Sequence, residues 1–133
     1  MSDALSFAAL QEASQHGDLE RVRELLDRGV EPNTDPGMPH AMSPLMLAAW
    51  KGHLEVVQLL VERGSNVNYQ DGDNFTPITL AAYARKWPVV EYLARNGADV
   101  IHFDARGISA LDAAKKAKKQ DLLELLKNCI ALS

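Results

Sequence analysis

The sequence has little of what a secreted, membrane-bound or disulfide-stabilised protein needs. Its single cysteine, Cys129, cannot form an internal disulfide, which agrees with a reducing compartment. No run of about eighteen apolar residues is available to span a membrane. Asp3 and the lack of a basic residue before the first apolar run predict that no secretory signal is present. We therefore expect one compact cytoplasmic domain over residues 1–133.

Motifs of catalysis and metal binding are also missing. No spacing typical of metal ligands relates Cys129 to the four histidines, which are His16, His40, His53 and His102. Neither a phosphate-binding glycine loop nor a nucleophile motif is present. We predict no catalytic residue, no cofactor and no metal. An enzyme would require distant residues to meet in space, and a bound metal would favour that hypothesis.

What the chain does have is an internal repeat, since residues 43–68 and 76–101 are two versions of one segment. A glycine follows each Leu/Val-rich run, at spacings of 35 and 33 residues: Gly29, Gly64 and Gly97. Glycine at that point supplies the left-handed conformation that ends a helix. A second series at spacings of 35, 33 and 33 marks helix starts: Ala8-Ala9-Leu10, Ser43-Pro44-Leu45, Thr76-Pro77-Ile78 and Ser109-Ala110-Leu111.

Two short helices lie between these markers in each unit. In the second unit, apolar spacing predicts helices over residues 44–51 and 54–63, with Gly52-His53 between them. Helices of this length are marginal alone in water, so each pair must bury its apolar side against the next pair. Such an array presents an extended surface for a partner rather than a deep pocket for chemistry.

A unit of 33 residues that opens with Thr-Pro-Ile at Thr76 and closes with Gly-Ala-Asp-Val at Gly97 resembles an ankyrin repeat. The resemblance implies an all-α fold, a solenoid of helix-turn-helix repeats with β-hairpin-like finger loops. We count about four repeats, at residues 4–36, 37–70, 71–103 and 104–133.

The sequence departs from the family pattern in three respects. Other residues replace the histidine that follows Thr-Pro-Leu, namely Gln11, Met46, Thr79 and Asp112, which puts the usual hydrogen bonds between units in doubt. Arg85 and Lys118 stand where Gly17 and Gly52 predict a left-handed turn, so these turns strain a non-glycine residue or follow another path. The connection from Gly29 to Ser43 is rich in proline and predicts an enlarged, stiffened finger.

The resemblance also implies a binding surface. In ankyrin-like stacks, the fingertips and the outward positions of the first helices form a concave face. We predict that partner-binding residues lie there, with Trp50, Tyr83 and Phe75 as anchors: His40, Met42, Trp50, Lys51, Asp73, Phe75, Tyr83, Arg106 and Ile108. The alternative is that Trp50 and Tyr83 only cover neighbouring helices of their own array. Trp87 and Tyr92 align with core positions, and we interpret them as core.

Charge is distributed unevenly along the chain. Residues 1–104 hold 8 basic and 15 acidic side chains, whereas residues 105–133 hold 6 basic and 3 acidic ones. The acidic body disfavours nucleic acid and would attract a basic partner. The lysines of the last unit form either a solvated cap that prevents end-to-end stacking or a contact for nucleic acid or anionic lipid.

These features predict a non-catalytic module that binds a folded protein, as an adaptor or an inhibitor, and is a monomer when free. One example would be an immunity-type protein that neutralises a basic toxin enzyme. The alternative is an effector or targeting scaffold that links a client protein to another complex. Two separate binding patches would favour the scaffold, and a single concave patch would favour the inhibitor.

Overall fold

A computed structural model describes residues 6–33 and 41–131, and these residues form four consecutive helix pairs. The helices are α1 Phe7–His16, α2 Leu19–Asp27, α3 Pro44–Lys51, α4 Leu54–Glu62, α5 Pro77–Tyr83, α6 Trp87–Arg95, α7 Ala110–Lys116 and α8 Gln120–Ala131. No strand occurs within the described residues. The all-α solenoid predicted from the repeats is therefore confirmed.

Side-chain caps start the first helix of each pair. The hydroxyl of Ser43 accepts a hydrogen bond from the Met46 N–H at 3.1 Å. In the third and fourth units the cap is reciprocal, because the side chains of Thr79 and Asp112, which replace the expected histidine, accept from the backbone of the capping residue. The first unit differs from the prediction: α1 begins at Phe7 and is capped by Ser6, since an alanine at position 8 offers no acceptor.

The turn between the two helices keeps one conformation in all four units. The φ angles at its left-handed residue are 74° at Gly17, 79° at Gly52, 61° at Arg85 and 58° at Lys118. The two non-glycine residues thus adopt the strained conformation and do not follow another path. The glycines are needed for space as well, because a Cβ on Gly17 would lie 2.6 Å from the His53 ring.

Neighbouring units are linked by side chains other than the missing histidine. Asn33 donates to the Gly64 carbonyl at 3.2 Å and accepts from the Asn66 N–H at 2.8 Å. One unit later, Asn68 repeats this link to Gly97 and Asp99 at 3.1 and 2.8 Å. Further links between units run from the side chain of Gln11 to Met42 and from that of His53 to Gln15. Within single units, the side chains of Tyr69 and His102 bond to the carbonyls of Ala41 and Asn74.

The core is one continuous hydrophobic cluster that extends from Leu10 in α1 to Leu126 in α8. Trp87, Tyr92 and Cys129 are partly buried and pack against it, so these two aromatic residues support the core without being enclosed by it. The first helices α1, α3 and α5 pack together more extensively than α2, α4 and α6 do, whereas at the last joint α7 packs on α5 as extensively as α8 packs on α6.

Two expectations fall partly or wholly beyond these residues. His40 and most of the connection predicted as an enlarged finger lie outside the described residues.

Among the described residues, none of the helices is both long and apolar enough to cross a membrane.

Candidate protein-binding surface

The fingers of the third and fourth units are tight turns, each organised by one aspartate. Asp71 accepts hydrogen bonds from the N–H groups of Asp73 and Phe75 at 2.9 and 3.0 Å. Asp104 does the same for Arg106 and Ile108 at 2.8 and 3.2 Å. Two backbone bonds of 3.1 Å close the first of these turns, one from the Asp71 N–H to the Phe75 carbonyl and one from the Asn74 N–H to the Asp71 carbonyl. The fingers are thus hairpin-like in path but contain no strands among the described residues.

Asp104 also fixes the side chain of Arg106. Two guanidinium nitrogens of Arg106 lie 2.6 and 3.2 Å from the same oxygen of Asp104, and the Asp104 side chain is fully buried. Burial raises the pKa of Asp104, but the hydrogen bonds from Arg106 and Ile108 outweigh it, and the net pKa lies below the ordinary value. The carboxylate is therefore ionised at neutral pH and holds the arginine in place.

Arg106 completes a cluster with two aromatic rings of the preceding unit. The rings of Phe75 and Tyr83 meet edge to face with centroids 6.3 Å apart. The guanidinium carbon of Arg106 lies 4.5 Å from the Tyr83 centroid and 5.7 Å from that of Phe75. Tyr83 nevertheless remains 55% exposed. The structure thus brings three of the predicted residues together into one ordered and accessible cluster.

Trp50 and Lys51 form a separate pair one unit earlier. The Lys51 ammonium lies 4.6 Å from the centre of the Trp50 ring, and Trp50 is 36% exposed. Trp50 stands 33 residues before Tyr83 and occupies the same place at the end of its helix. Both residues present part of their surface to solvent, which disfavours a purely covering role.

The remaining predicted residues border these groups. Met42, on the approach to α3, and Ile108, on the approach to α7, are half-buried, and Asp73 is exposed at a fingertip. The Asp73 carbonyl accepts a hydrogen bond from the Ala105 N–H at 3.2 Å, which joins the two fingers. With Trp50, Lys51, Phe75, Tyr83 and Arg106, these residues make up the described part of the predicted concave face.

A groove between α5 and α7, hereafter the last groove, has a volume of about 320 Å³. Its lining includes Tyr83, Arg85, Trp87, Arg106, Ile108 and Lys116. Arg85 and Trp87 are surface residues that the sequence does not predict, because Arg85 aligns with a turn glycine and Trp87 with a core position. The alignment of Arg85 with a turn glycine could have indicated its exposure.

A larger groove of about 640 Å³ lies between α6 and α8, and Trp87 lines both grooves. Trp87 and Tyr92 contribute to it, together with charged side chains of both signs. Arg95, one of these, pairs with Glu91 at 3.5 Å, and both side chains are more than half exposed. This groove lacks a buried group that orders its charges, so the concave face is the better-organised surface.

Comparison with known proteins gives one matching family and several partial relatives. The family described as "Ankyrin repeats (3 copies)" matches residues 2–71 and 45–131. The mouse "Ankyrin repeat, SAM and basic leucine zipper domain-containing protein 1" is 40% identical over 60 residues, which is 45% of this chain and 12% of that protein. The mouse "Ankyrin repeat and SOCS box protein 14" is 40% identical over 62 residues, 47% of this chain and 10% of that protein.

A bovine protein named "Dynein axonemal heavy chain 12" is 42% identical over 62 residues and matches over 16% of its own length. The chain thus spans only a small part of these relatives.

Among the described residues, no three His, Cys, Asp or Glu side chains are placed to hold a metal ion. Ankyrin repeats are general protein–protein interaction modules and are generally non-catalytic. The family match covers nearly the whole sequence, and the chain belongs to the ankyrin-repeat family.

Proposed function

We propose that the protein binds a folded protein partner through its concave face, as an adaptor or an inhibitor. The observation that carries this proposal is the cluster of Phe75, Tyr83 and Arg106. Its arginine is held by the buried Asp104, and its tyrosine is largely exposed. Tyrosine, tryptophan and arginine are the residue types that most often dominate binding energy at protein interfaces.

The order of this cluster supports binding of a rigid partner. A side chain that is already fixed loses less conformational entropy when a partner covers it. Arg106 is fixed by Asp104 and by the two rings on which it lies. We place Trp50 with Lys51 at a second anchor point, one unit away along the same face. His40, Met42, Asp73 and Ile108 complete the proposed site at its border.

A specific observation favours the second candidate, a targeting scaffold with two binding patches. Outside the concave face, the large apolar residues Ile101, Phe103 and Ile130 are exposed, Phe103 by 60%. Ile101 and Ile130 line one cavity with Cys129, and Phe103 lies two residues after Ile101 in the chain. We call these three exposed residues the foot patch. Exposed apolar patches mark interaction sites in soluble proteins.

The sign of the partner's charge depends on which face it meets. The net charge of −4 favours a basic partner at long range. Many of the acidic side chains, however, project from the second helices, namely Glu20, Glu24, Asp27, Glu55, Glu62 and Glu91. A basic partner would thus be attracted to the outer side of the array. We retain it as a prediction for that side.

We further propose that residues 1–133 form a single domain, because one hydrophobic cluster runs through all four helix pairs. A cytoplasmic location and a monomeric free state complete the proposal. An inhibitor of immunity type, which covers a toxin enzyme, remains one example of the role.

The proposal is tested by a pull-down from source-cell lysate with three forms of the protein, and captured proteins are identified by mass spectrometry. The forms are the unchanged protein, Trp50→Ala/Tyr83→Ala, and Ile101→Ala/Phe103→Ala. Both variants are first shown to be folded by circular dichroism and by their unfolding midpoints.

A partner that is lost only by Trp50→Ala/Tyr83→Ala supports binding through the concave face. Loss only by Ile101→Ala/Phe103→Ala moves the site to the foot patch, and one partner lost by each variant supports the scaffold. A partner that all three forms capture equally would place the site elsewhere on the array. Capture of no partner by any form would contradict the binding function.

A further inference from the structure

The last groove holds three cations at positions that are uncharged or acidic in the preceding unit. Its cationic residues are Arg85, Arg106 and Lys116. The residues 33 positions earlier are Gly52, Asp73 and Tyr83, none of which is a cation. Lys51 and Lys86 lie near the preceding joint, so the two joints differ at these three positions and not in every cation.

Two of these cations have no partner that neutralises them. Within residues 6–33 and 41–131, neither Arg85 nor Lys116 lies within ion-pair distance of a carboxylate. Arg106 is paired with Asp104. The one acidic residue in the groove, Asp112, accepts a hydrogen bond from the Ser109 N–H at 3.1 Å and belongs to the start of α7. The groove thus has an excess of positive charge although the protein as a whole is negative.

Two of the three cations, Arg106 and Arg85, lie on aromatic rings, which orders them. Arg106 lies on Tyr83 at 4.5 Å. The Trp87 ring has Arg85 at 5.8 Å and Lys119 at 5.9 Å from its centroid. Apolar groups lie beside these charges, since Ile108, Ala82, Ala113 and Ala117 also line the groove. The groove can therefore accept an apolar side chain and carboxylates next to it.

We propose that the last groove binds an acidic segment of the protein partner, in which an apolar side chain is flanked by carboxylates. This inference rests on the proposed function and specifies the chemistry of the partner at that site. The apolar side chain contacts Ile108 and the alanines, and the carboxylates pair with Arg85 and Lys116. Complementary charge at such a surface gives specificity and a faster association rate.

On the side of the second unit, the neighbouring surface favours a short acidic segment over a nucleic acid. A phosphate backbone carries regularly spaced charges and needs a continuous track of cations. Towards the second unit, the same face presents Asp73 at the fingertip. A long polyanion would meet that carboxylate, whereas a short segment confined to the last groove would not.

The inference is tested by selecting peptides from a random library displayed on phage, with the full chain immobilised. The test variant is Arg85→Gly/Lys116→Tyr, which introduces the residues of the preceding joint. The matched control, Arg23→Gln/Arg95→Gln, removes two exposed cations from the outer helices. The charge change is thus equal, so a general effect of net charge is separated from a local one.

We expect the selected peptides to be rich in Asp and Glu around an apolar residue. Binding of such a peptide should fall at least about tenfold in Arg85→Gly/Lys116→Tyr and less than about twofold in the control. Replacing its carboxylates by amides should weaken binding to a similar extent. An oligodeoxythymidylate and vesicles that contain phosphatidylserine should bind much more weakly than the peptide.

Several results would overturn the inference: basic or uncharged selected peptides, no selected peptide, equal losses in the two variants, or equally tight binding of the oligonucleotide or vesicles. The proposed function can survive each of these results. It would do so if the lysate partner is lost by Trp50→Ala/Tyr83→Ala but retained by Arg85→Gly/Lys116→Tyr. If the lysate yields no partner at all, the proposed function itself fails.

Discussion

The joint between the second and third units and the joint between the third and fourth units are built differently. At the earlier joint, Asn68 links two backbone groups of the next unit, and Gly52 lies under the Lys86 side chain, where a Cβ would approach to 2.7 Å. At the later joint, the same positions hold Ile101, which is exposed, and Arg85, which is strained.

The two joints thus use the same positions for different purposes, the earlier for stability and the later for surface chemistry. The earlier joint uses its residues for internal hydrogen bonds and close packing. The later joint exposes side chains instead: Arg85 contributes charge to the last groove, and Ile101 contributes apolar area to the foot patch. Strained residues persist where the surrounding structure holds them, and they are frequent at functional sites. We infer that the later joint gives up some stability for binding.

The largest effect is expected at the finger aspartates. Asp104→Ala should lower the free energy of unfolding by about 2–3 kcal/mol, because it leaves Arg106 and two backbone N–H groups without a buried acceptor. Asp71→Ala, at the equivalent and more exposed position, should cost about 1 kcal/mol. Urea denaturation measures both. Equal losses of unfolding free energy in the two variants would mean that the burial of Asp104 does not increase its contribution to stability.

The same aspartate predicts a pH dependence. Because the pKa of Asp104 is lower in the folded protein than its ordinary value, its contribution is complete above about pH 4 and is lost as the pH falls through the folded pKa. The unfolding free energy of the unchanged protein should thus approach that of Asp104→Asn in acid. Comparing the two by urea denaturation from neutral to acidic pH tests this. A constant difference over that range would contradict it.

A smaller effect is expected from the asparagine link. Asn68→Ala should cost about 1 kcal/mol, since two exposed hydrogen bonds to Gly97 and Asp99 are lost. Ile101→Asn places the same residue at the later joint. It should change the free energy of unfolding by less than about 0.5 kcal/mol. In the fourth unit α8 continues to Ala131, so this unit has no closing loop there whose backbone could bond to the new asparagine. Thermal unfolding of the two variants would reveal the contrast. A clear gain from Ile101→Asn would show that the later joint can also form the link.

The smallest effect is expected at Arg85. Arg85→Gly should leave stability unchanged or raise it by up to about 1 kcal/mol, because glycine adopts a φ of 61° without strain but makes the unfolded chain more flexible. The midpoint of urea unfolding would report the change. A loss of more than about 0.5 kcal/mol would mean that the contact between Arg85 and Trp87 outweighs the strain.

Much of the fold could be predicted because certain residues have fixed backbone roles. Gly64 and Gly97 end helices with φ angles of 94° and 92°, and Ser43 and Thr76 cap the helices that follow. These roles depend on local conformation, which the spacing of the residues shows. The start of α1 was misplaced because its cap, Ser6, does not follow the spacing of the later units.

The candidate site could be predicted only in part, because its order comes from contacts between units. Alignment with the family pattern placed Phe75, Tyr83 and Arg106 on one face. It could not show that Arg106 crosses from the fourth unit to rings of the third, or that Asp104 is buried beneath it. These features depend on the distance between neighbouring units, which no single repeat determines.

The most direct test of the binding account is hydrogen–deuterium exchange of the protein alone and with the partner captured from lysate. We predict that protection on binding is concentrated in residues 73–83 and 104–116, which contain the fingers and first helices of the last two units. Protection confined to α4 and α6, with no change in those two segments, would contradict binding through the concave face.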